Sequence, residues 1–130
     1  MRVLLVEDQQ DLREEIQRIL HAIPGVQVIQ ACATSGEARD WIAQHVDGWD
    51  LALVDLFLQE GNGFDVLRAC AMRPAHQKVV VLSNYTRDPA RQYARLAGAD
   101  AFFDKSLEMD ALVGYCVARA LACRESGVES

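Results

Sequence analysis

Apolar residues along the chain fall into two alternating patterns. Short runs at Val3 to Val6, Val26 to Ala33, Leu51 to Leu58, Val79 to Leu82 and Ala101 to Phe103 have the length and composition of buried strands. Between them the spacing turns helical. After Asp11, the residues Leu12, Ile16, Ile19, Leu20 and Ile23 share one helix face, with Arg13, Glu14, Glu15 and Arg18 elsewhere, and Pro24-Gly25 ends the segment. Thr34 with Glu37 forms a capping box for a helix carrying Ala38, Trp41 and Ile42 to about His45. Gly63 opens a third helix through Phe64, Leu67 and Ala71 that ends before Pro74, and Asp88-Pro89 opens a fourth that stops near Gly98. Ser106 is placed to cap a fifth, with Glu108 and Asp110 in its first turn, running to about Cys123 before a polar tail over 124–130. Strand and helix thus alternate five times. That order predicts an α/β domain with a five-stranded, doubly wound parallel sheet and helices on both faces.

The run Leu51-Ala52-Leu53-Val54-Asp55-Leu56-Phe57-Leu58 carries a carboxylate in its middle. It reads as one fully buried strand that leaves through Gln59-Glu60-Gly61-Asn62-Gly63, with Asp55 at the strand's end. A charge among leucines and valines is unfavourable unless it is paired, coordinated or near water. Taken alone, Asp55 is equally well a turn-capping acid. Other strands end in similar chemistry: Glu7-Asp8 follows the first, Ser83-Asn84 the fourth and Asp104-Lys105 the fifth. Right-handed crossovers bring the carboxyl ends of all parallel strands to one edge, where ligands bind in open sheets of this kind. Glu7, Asp8, Asp55, Ser83 and Lys105 are therefore expected at one place.

Composition narrows the function. The net charge of −6 argues against a nucleic-acid surface, which needs a basic patch to displace counterions. No apolar run approaches a membrane span and no signal-peptide core follows Met1-Arg2, so a cytoplasmic protein is expected. Cys32, Cys70, Cys116 and Cys123 have no metal-ligand spacing and are expected to be reduced and mostly core-facing, with Cys123 toward the surface. Two carboxylates about 4 Å apart repel by about 4 kcal/mol at an effective dielectric near 20. A cluster of three wants a cation, and oxygen ligands with room for water suit Mg2+. With that charge neutralised, Asp55 can act as a nucleophile on a phosphoryl group, with Lys105 and the Ser83 hydroxyl stabilising the transferred oxygens. A carboxylate is already deprotonated, so no general base is required.

These residues resemble the receiver domain of bacterial two-component response regulators, of the single-domain chemotaxis-regulator type, over nearly the whole chain. Glu7-Asp8 resembles the acidic pair after the first strand, Asp55 the phosphoacceptor, Gly63 the glycine eight residues beyond it, Ser83 the hydroxyl position and Lys105 the family's lysine. Phe102, three before the lysine, falls on the switch aromatic. The resemblance implies a flavodoxin-like strand order 2-1-3-4-5 and a receiver domain over 1–123. It implies Mg2+ held by Asp8, Asp55 and the Phe57 backbone carbonyl, with Glu7 acting through water. The phosphoryl donor would be a sensor histidine kinase or histidine phosphotransfer protein. Phosphorylation would draw Ser83 inward and let Phe102 turn, a two-state packing change. Such a chain is a signalling domain that catalyses only its own phosphotransfer and dephosphorylation. The output, to a downstream protein or a second copy, would use the fourth helix, fifth strand and fifth helix, with Tyr93, Phe103, Tyr115 and Val117 as candidate contacts, Tyr115 being equally well a core position.

Singly, each residue has a plainer reading: Lys105 a solvated lysine, Ser83 a turn residue, Phe102 a core residue, Glu7-Asp8 a strand stop. Trp41, Trp49, Tyr93, His21, His45 and His76 sit in no chemical register. Three positions depart from the family's pattern. Gln59 replaces a frequent proline and should loosen its turn without touching the chemistry. Ser106 replaces the proline after the lysine, so a trans Lys105-Ser106 bond is expected, the cis form costing about 2.5–4 kcal/mol. Asn84 stands where a smaller residue is common and narrows phosphoryl access. Phe57 and Tyr85, two residues after Asp55 and Ser83, are placed to shield an aspartyl phosphate and lengthen its life. Other readings are a phosphorylation-independent interaction module, an aspartyl phosphatase, which would need an acid where Phe57 stands, and a flavin carrier, whose phosphate Glu7-Asp8 would repel.

Overall fold

In the computed structural model, which describes residues 1–84 and 89–125, the continuous apolar runs at β1 (Arg2–Val6), β3 (Leu51–Val54) and β4 (Lys78–Ser83) form the middle of one sheet. β2 (Gln27–Cys32) and β5 (Ala101–Asp104) are its edges, and the order is β2-β1-β3-β4-β5 with every pair parallel. The edges are the less buried strands, as their mixed composition requires.

Each central strand is buried on both faces because its alternate side chains enter two separate cores. Leu4, Val6, Ala52, Val54, Val79 and Val81 pack against α2 (Ser35–Gln44), α3 (Gly63–Ala69) and α4 (Ala90–Leu96). Val3, Leu5, Leu51, Leu53, Val80 and Leu82 pack against α1 (Gln10–His21) and α5 (Met109–Glu125). The helices start where the sequence signals them. Thr34 accepts a hydrogen bond from the Glu37 N–H at 3.1 Å, and Asn62 does the same for Asp65 at 3.1 Å, each satisfying an otherwise unpaired N–H of a first turn.

Three expectations need correction. The apolar run from Leu51 is a strand only as far as Val54; Leu56 is buried, but Phe57 has already turned out and is 52% exposed. Buried apolar residues alone do not distinguish a strand from a packed turn. Ser106 does not cap α5: Asp104 Oδ1 instead takes the Ser106 and Leu107 N–H groups at 2.7 and 3.0 Å, and the helix begins after Glu108 and continues to Glu125. Phe103 and Tyr115 pack edge-to-face at 5.8 Å between ring centres and lie against the α1–α5 core, whereas Tyr93 and Val117 are exposed. Asp88 and Tyr85 lie outside the described residues, and α4 starts at Ala90 with Pro89 just before it rather than at its first position. Cys32, Cys70 and Cys116 are buried free thiols whose pKa values burial pushes up to about 11, and Cys123 is half-buried. No described helix is long and apolar enough to cross a membrane.

Candidate functional site

The backbone ladder of the sheet sets the site residues in place. Beyond the paired ends of the strands, Glu7 N–H donates to the Cys32 carbonyl at 3.0 Å, Asp55 N–H to the Val6 carbonyl at 3.0 Å and Lys105 N–H to the Ser83 carbonyl at 3.1 Å. Each continues a strand one step past its last regular residue, so Glu7, Asp55 and Lys105 are held as firmly as the sheet itself. Gly63 fixes the far side of Asp55. Its N–H donates to the Leu56 carbonyl at 2.9 Å, and a Cβ there would come within 2.3 Å of the Asp55 carbonyl oxygen. Only glycine lets α3 begin so close to that backbone.

Lys105 crosses from β5 to the acids. Its Nζ lies 2.8 Å from Asp55 Oδ2 and 2.6 Å from Glu7 Oε1, and all three side chains are nearly excluded from solvent. Asp55 Oδ1 accepts the Phe57 N–H at 3.1 Å, and Glu7 Oε2 accepts the Gln9 N–H at 3.1 Å. Asp8 is more open, and its Oδ2 accepts the Gln59 N–H at 3.0 Å. Ser83 is buried beside them, and a cleft of about 360 Å³ is bounded by Asp8, Asp55, Phe57, Ser83, Asn84 and Lys105.

Burial drives the electrostatics. It raises the Glu7 pKa above the usual carboxylate range, and the contacts with Lys105 and the Gln9 N–H offset only part of that. For Lys105, burial favours the neutral amine, but the contacts with Asp55 and Glu7 outweigh it and the pKa is raised above the ordinary lysine value. The carboxylate oxygens of Glu7, Asp8 and Asp55 come within 4.8 Å of one another. Three carboxylates against one ammonium leave two negative charges. Glu7 Oε1, although beside Lys105, receives no well-aligned hydrogen bond. An oxygen-only donor set with that residual charge fits a hard divalent cation.

All five acid, hydroxyl and lysine positions singled out from the sequence meet here, and Phe57 joins them at the rim. Phe102 stands apart from the cleft, half-buried against the α2–α4 core with the Arg91 guanidinium 4.8 Å from its ring centre. The sequence reading missed three contacts. Gln59 reaches the acid cluster, through its backbone N–H on Asp8. Asn84 and Ser106, two positions that depart from the receiver pattern, hydrogen-bond to each other at 3.2 Å across the site's edge. Arg91 lies between Phe102 and Glu108, whose carboxylate it meets at 3.5 Å. A backbone N–H has no residue-type signature, and the other two join residues 22 and 17 positions apart.

Residues 3–116 match the sequence profile of the response regulator receiver domain. Among curated proteins, the chain is similar to the response regulator UvrY of Escherichia coli K12, at 29% identity over 105 residues covering 81% of this chain and 47% of that one. It is also similar to the DNA-binding transcriptional activator DevR/DosR of Mycobacterium tuberculosis, at 29% identity covering 83% and 49%. The chain thus spans about half the length of these relatives. Among solved structures, the CheX-CheY-BeF3-Mg+2 complex from Borrelia burgdorferi shares the fold with a TM-score of 0.78, at 19% identity over 94% of this chain and 87% of that one. A profile match running from β1 into α5 takes in all five strands and all of the converging residues, and the chain therefore belongs to the response regulator receiver domain family of two-component systems.

Proposed function

We propose that the chain is a phosphoacceptor receiver that takes a phosphoryl group on Asp55 from a histidine kinase or histidine phosphotransfer protein. The observation that carries this reading is Lys105 Nζ held between Asp55 Oδ2 and Glu7 Oε1 at the wall of an open cleft. One oxygen of the Asp55 carboxylate attacks the phosphorus of a phosphohistidine. An O–P bond forms, the N–P bond breaks, and the imidazole departs and takes up a proton from solvent. The Phe57 N–H on Oδ1 orients the nucleophile. Lys105, which faces Asp55, and the Ser83 hydroxyl would receive the new phosphoryl oxygens. Glu7, Asp8, Asp55 and the Phe57 carbonyl would hold Mg2+, which when bound supplies charge neutralisation for the transferred group. The similar Borrelia complex, described with BeF3 and Mg+2, supports the same chemistry here.

The signal leaves as a packing change in which Ser83 moves toward the phosphoryl group and Phe102 turns. Its readers are proteins, either a downstream target or a second copy, on the face of α4, β5 and α5, where Tyr93, Leu96, Val117 and Leu121 are exposed. The acidic balance favours protein contact over direct nucleic-acid contact for this segment, and a cytoplasmic setting suits its kinase partner. Acetyl phosphate labelling read by intact mass tests the reading. Wild type with Mg2+ gains one phosphoryl mass, while Asp55→Asn, or wild type with chelator, gains none. An unlabelled wild type, under conditions where a control receiver reacts, would overturn it in favour of a phosphorylation-independent interaction module.

A further inference from the structure

Among the three clustered carboxylates, Asp8 is secured differently from its neighbours. Glu7 and Asp55 each accept a backbone N–H from two residues on, Gln9 and Phe57, and each faces Lys105. Asp8 has no ion-pair partner among the described residues, and it accepts the Gln59 N–H from 51 positions away. That donor sits on an anchored loop. On one side the Ser35 N–H donates to the Glu60 carbonyl at 3.3 Å, and on the other the Gly63 N–H closes on Leu56 at 2.9 Å. Proline, the residue frequent at this position in the resemblance drawn above, has no N–H and cannot make the contact.

We infer that the Gln59 backbone N–H is a positioning group for metal binding, which holds the Asp8 carboxylate by Oδ2 within the acid cluster. The inference rests on the proposed Mg2+ site and concerns how this chain orders that site. A carboxylate oxygen has more than one lone-pair site and Asp8 keeps its second oxygen, so one N–H orients the group without using up its capacity. Outer partners of this kind typically contribute about 10- to 100-fold to metal affinity. Without the N–H, Asp8 has to be ordered by the cation itself, and part of the binding free energy goes into fixing its rotamer. The low end of the range, about 10-fold, applies to a single neutral donor on a half-open side chain.

The test is calorimetric titration of MgCl2 into the full chain, previously stripped with chelator, for wild type, Gln59→Ala and Gln59→Pro. Gln59→Ala keeps the N–H and should bind within about twofold of wild type, whereas Gln59→Pro should bind about 10-fold more weakly. Equal affinity of Gln59→Pro and wild type overturns the inference and leaves the proposed function standing. Equal losses in both variants also overturn it, since the side chain and not the N–H would then matter. A wild type that fails to bind Mg2+ at all sinks the metal reading and the inference together. Amide hydrogen exchange covers the case in which Gln59→Pro does not fold. The Gln59 N–H should be protected in wild type and lose that protection in Asp8→Ala, while an unprotected wild-type amide refutes the positioning role.

Discussion

Lys105 is the residue on which the site's charge balance turns. Removing its ammonium leaves Glu7 and Asp55 facing each other in a nearly dry corner. Lys105→Met should destabilise the fold at neutral pH by roughly 1–3 kcal/mol, the open cleft letting water replace part of the lost contact. Because the native pKa of Lys105 is raised, its contribution is complete below the ordinary lysine value of 10.5 and is lost as pH rises through the higher native value. Urea unfolding of both proteins from pH 7 upward checks this: the gap between wild type and Lys105→Met should be constant at first and narrow above about 10.5. A gap that widens there contradicts the assignment. Glu7 shifts stability in the same direction but in the carboxylate range of pH, since its raised pKa means the folded state keeps that proton longer than the unfolded chain and loses stability as the proton leaves. At this scale the sequence was informative about identity. An acid pair, a lone acid and a lysine at strand ends are visible as residue types, whereas the N–H groups that orient them, from Gln9, Phe57 and Gln59, are not.

At the scale of elements, strand position was legible because continuous apolar runs can only be buried on both faces, and helix position because caps such as Thr34 and Asn62 are chemical signals. Element ends were less so. Leu56 is as buried as Leu53, so nothing in hydrophobicity marks the point where β3 stops and the Asp55 turn begins. The start of α5 is hidden for a related reason: Asp104, a strand residue, gathers the Ser106 and Leu107 N–H groups into a turn, and the helix begins only after Glu108. Gly63 is where element packing meets chemistry. Gly63→Ala puts a methyl group within 2.3 Å of the Asp55 carbonyl oxygen and 2.7 Å of Leu56 Cα, backbone atoms that cannot swing aside. The expected loss is about 1–3 kcal/mol in urea unfolding, together with slower acetyl phosphate labelling as Asp55 is pushed from its place. Unchanged stability and labelling would mean that α3 can slide away from the acceptor turn at little cost.

Across the whole molecule, the doubly wound parallel sheet was readable from the alternation of patterns alone, and the strand order followed only from the resemblance. The order matters for function because β3 lies between β1 and β4. Glu7 and Asp8 come from the first tenth of the chain and Asp55 from its middle, while Ser83 and Lys105 come from its second half. The loop between α3 and β4 therefore divides the site as well as the sheet. A chain cut at Pro74 yields one fragment with all three acids and no lysine contact, and another with Lys105 and no acceptor. Neither fragment should take label from acetyl phosphate, and a mixture should regain Mg2+-dependent labelling at Asp55 in step with the return of a cooperative melt. Labelling of the first fragment alone would show that the lysine strand is dispensable. Since β3 bonds to β1 on one flank and β4 on the other, the proposed acceptor would work as a coincidence detector for its own assembly: a nascent chain still lacking β4 and β5 should be chemically silent, which would spare a two-component pathway signals from unfinished molecules.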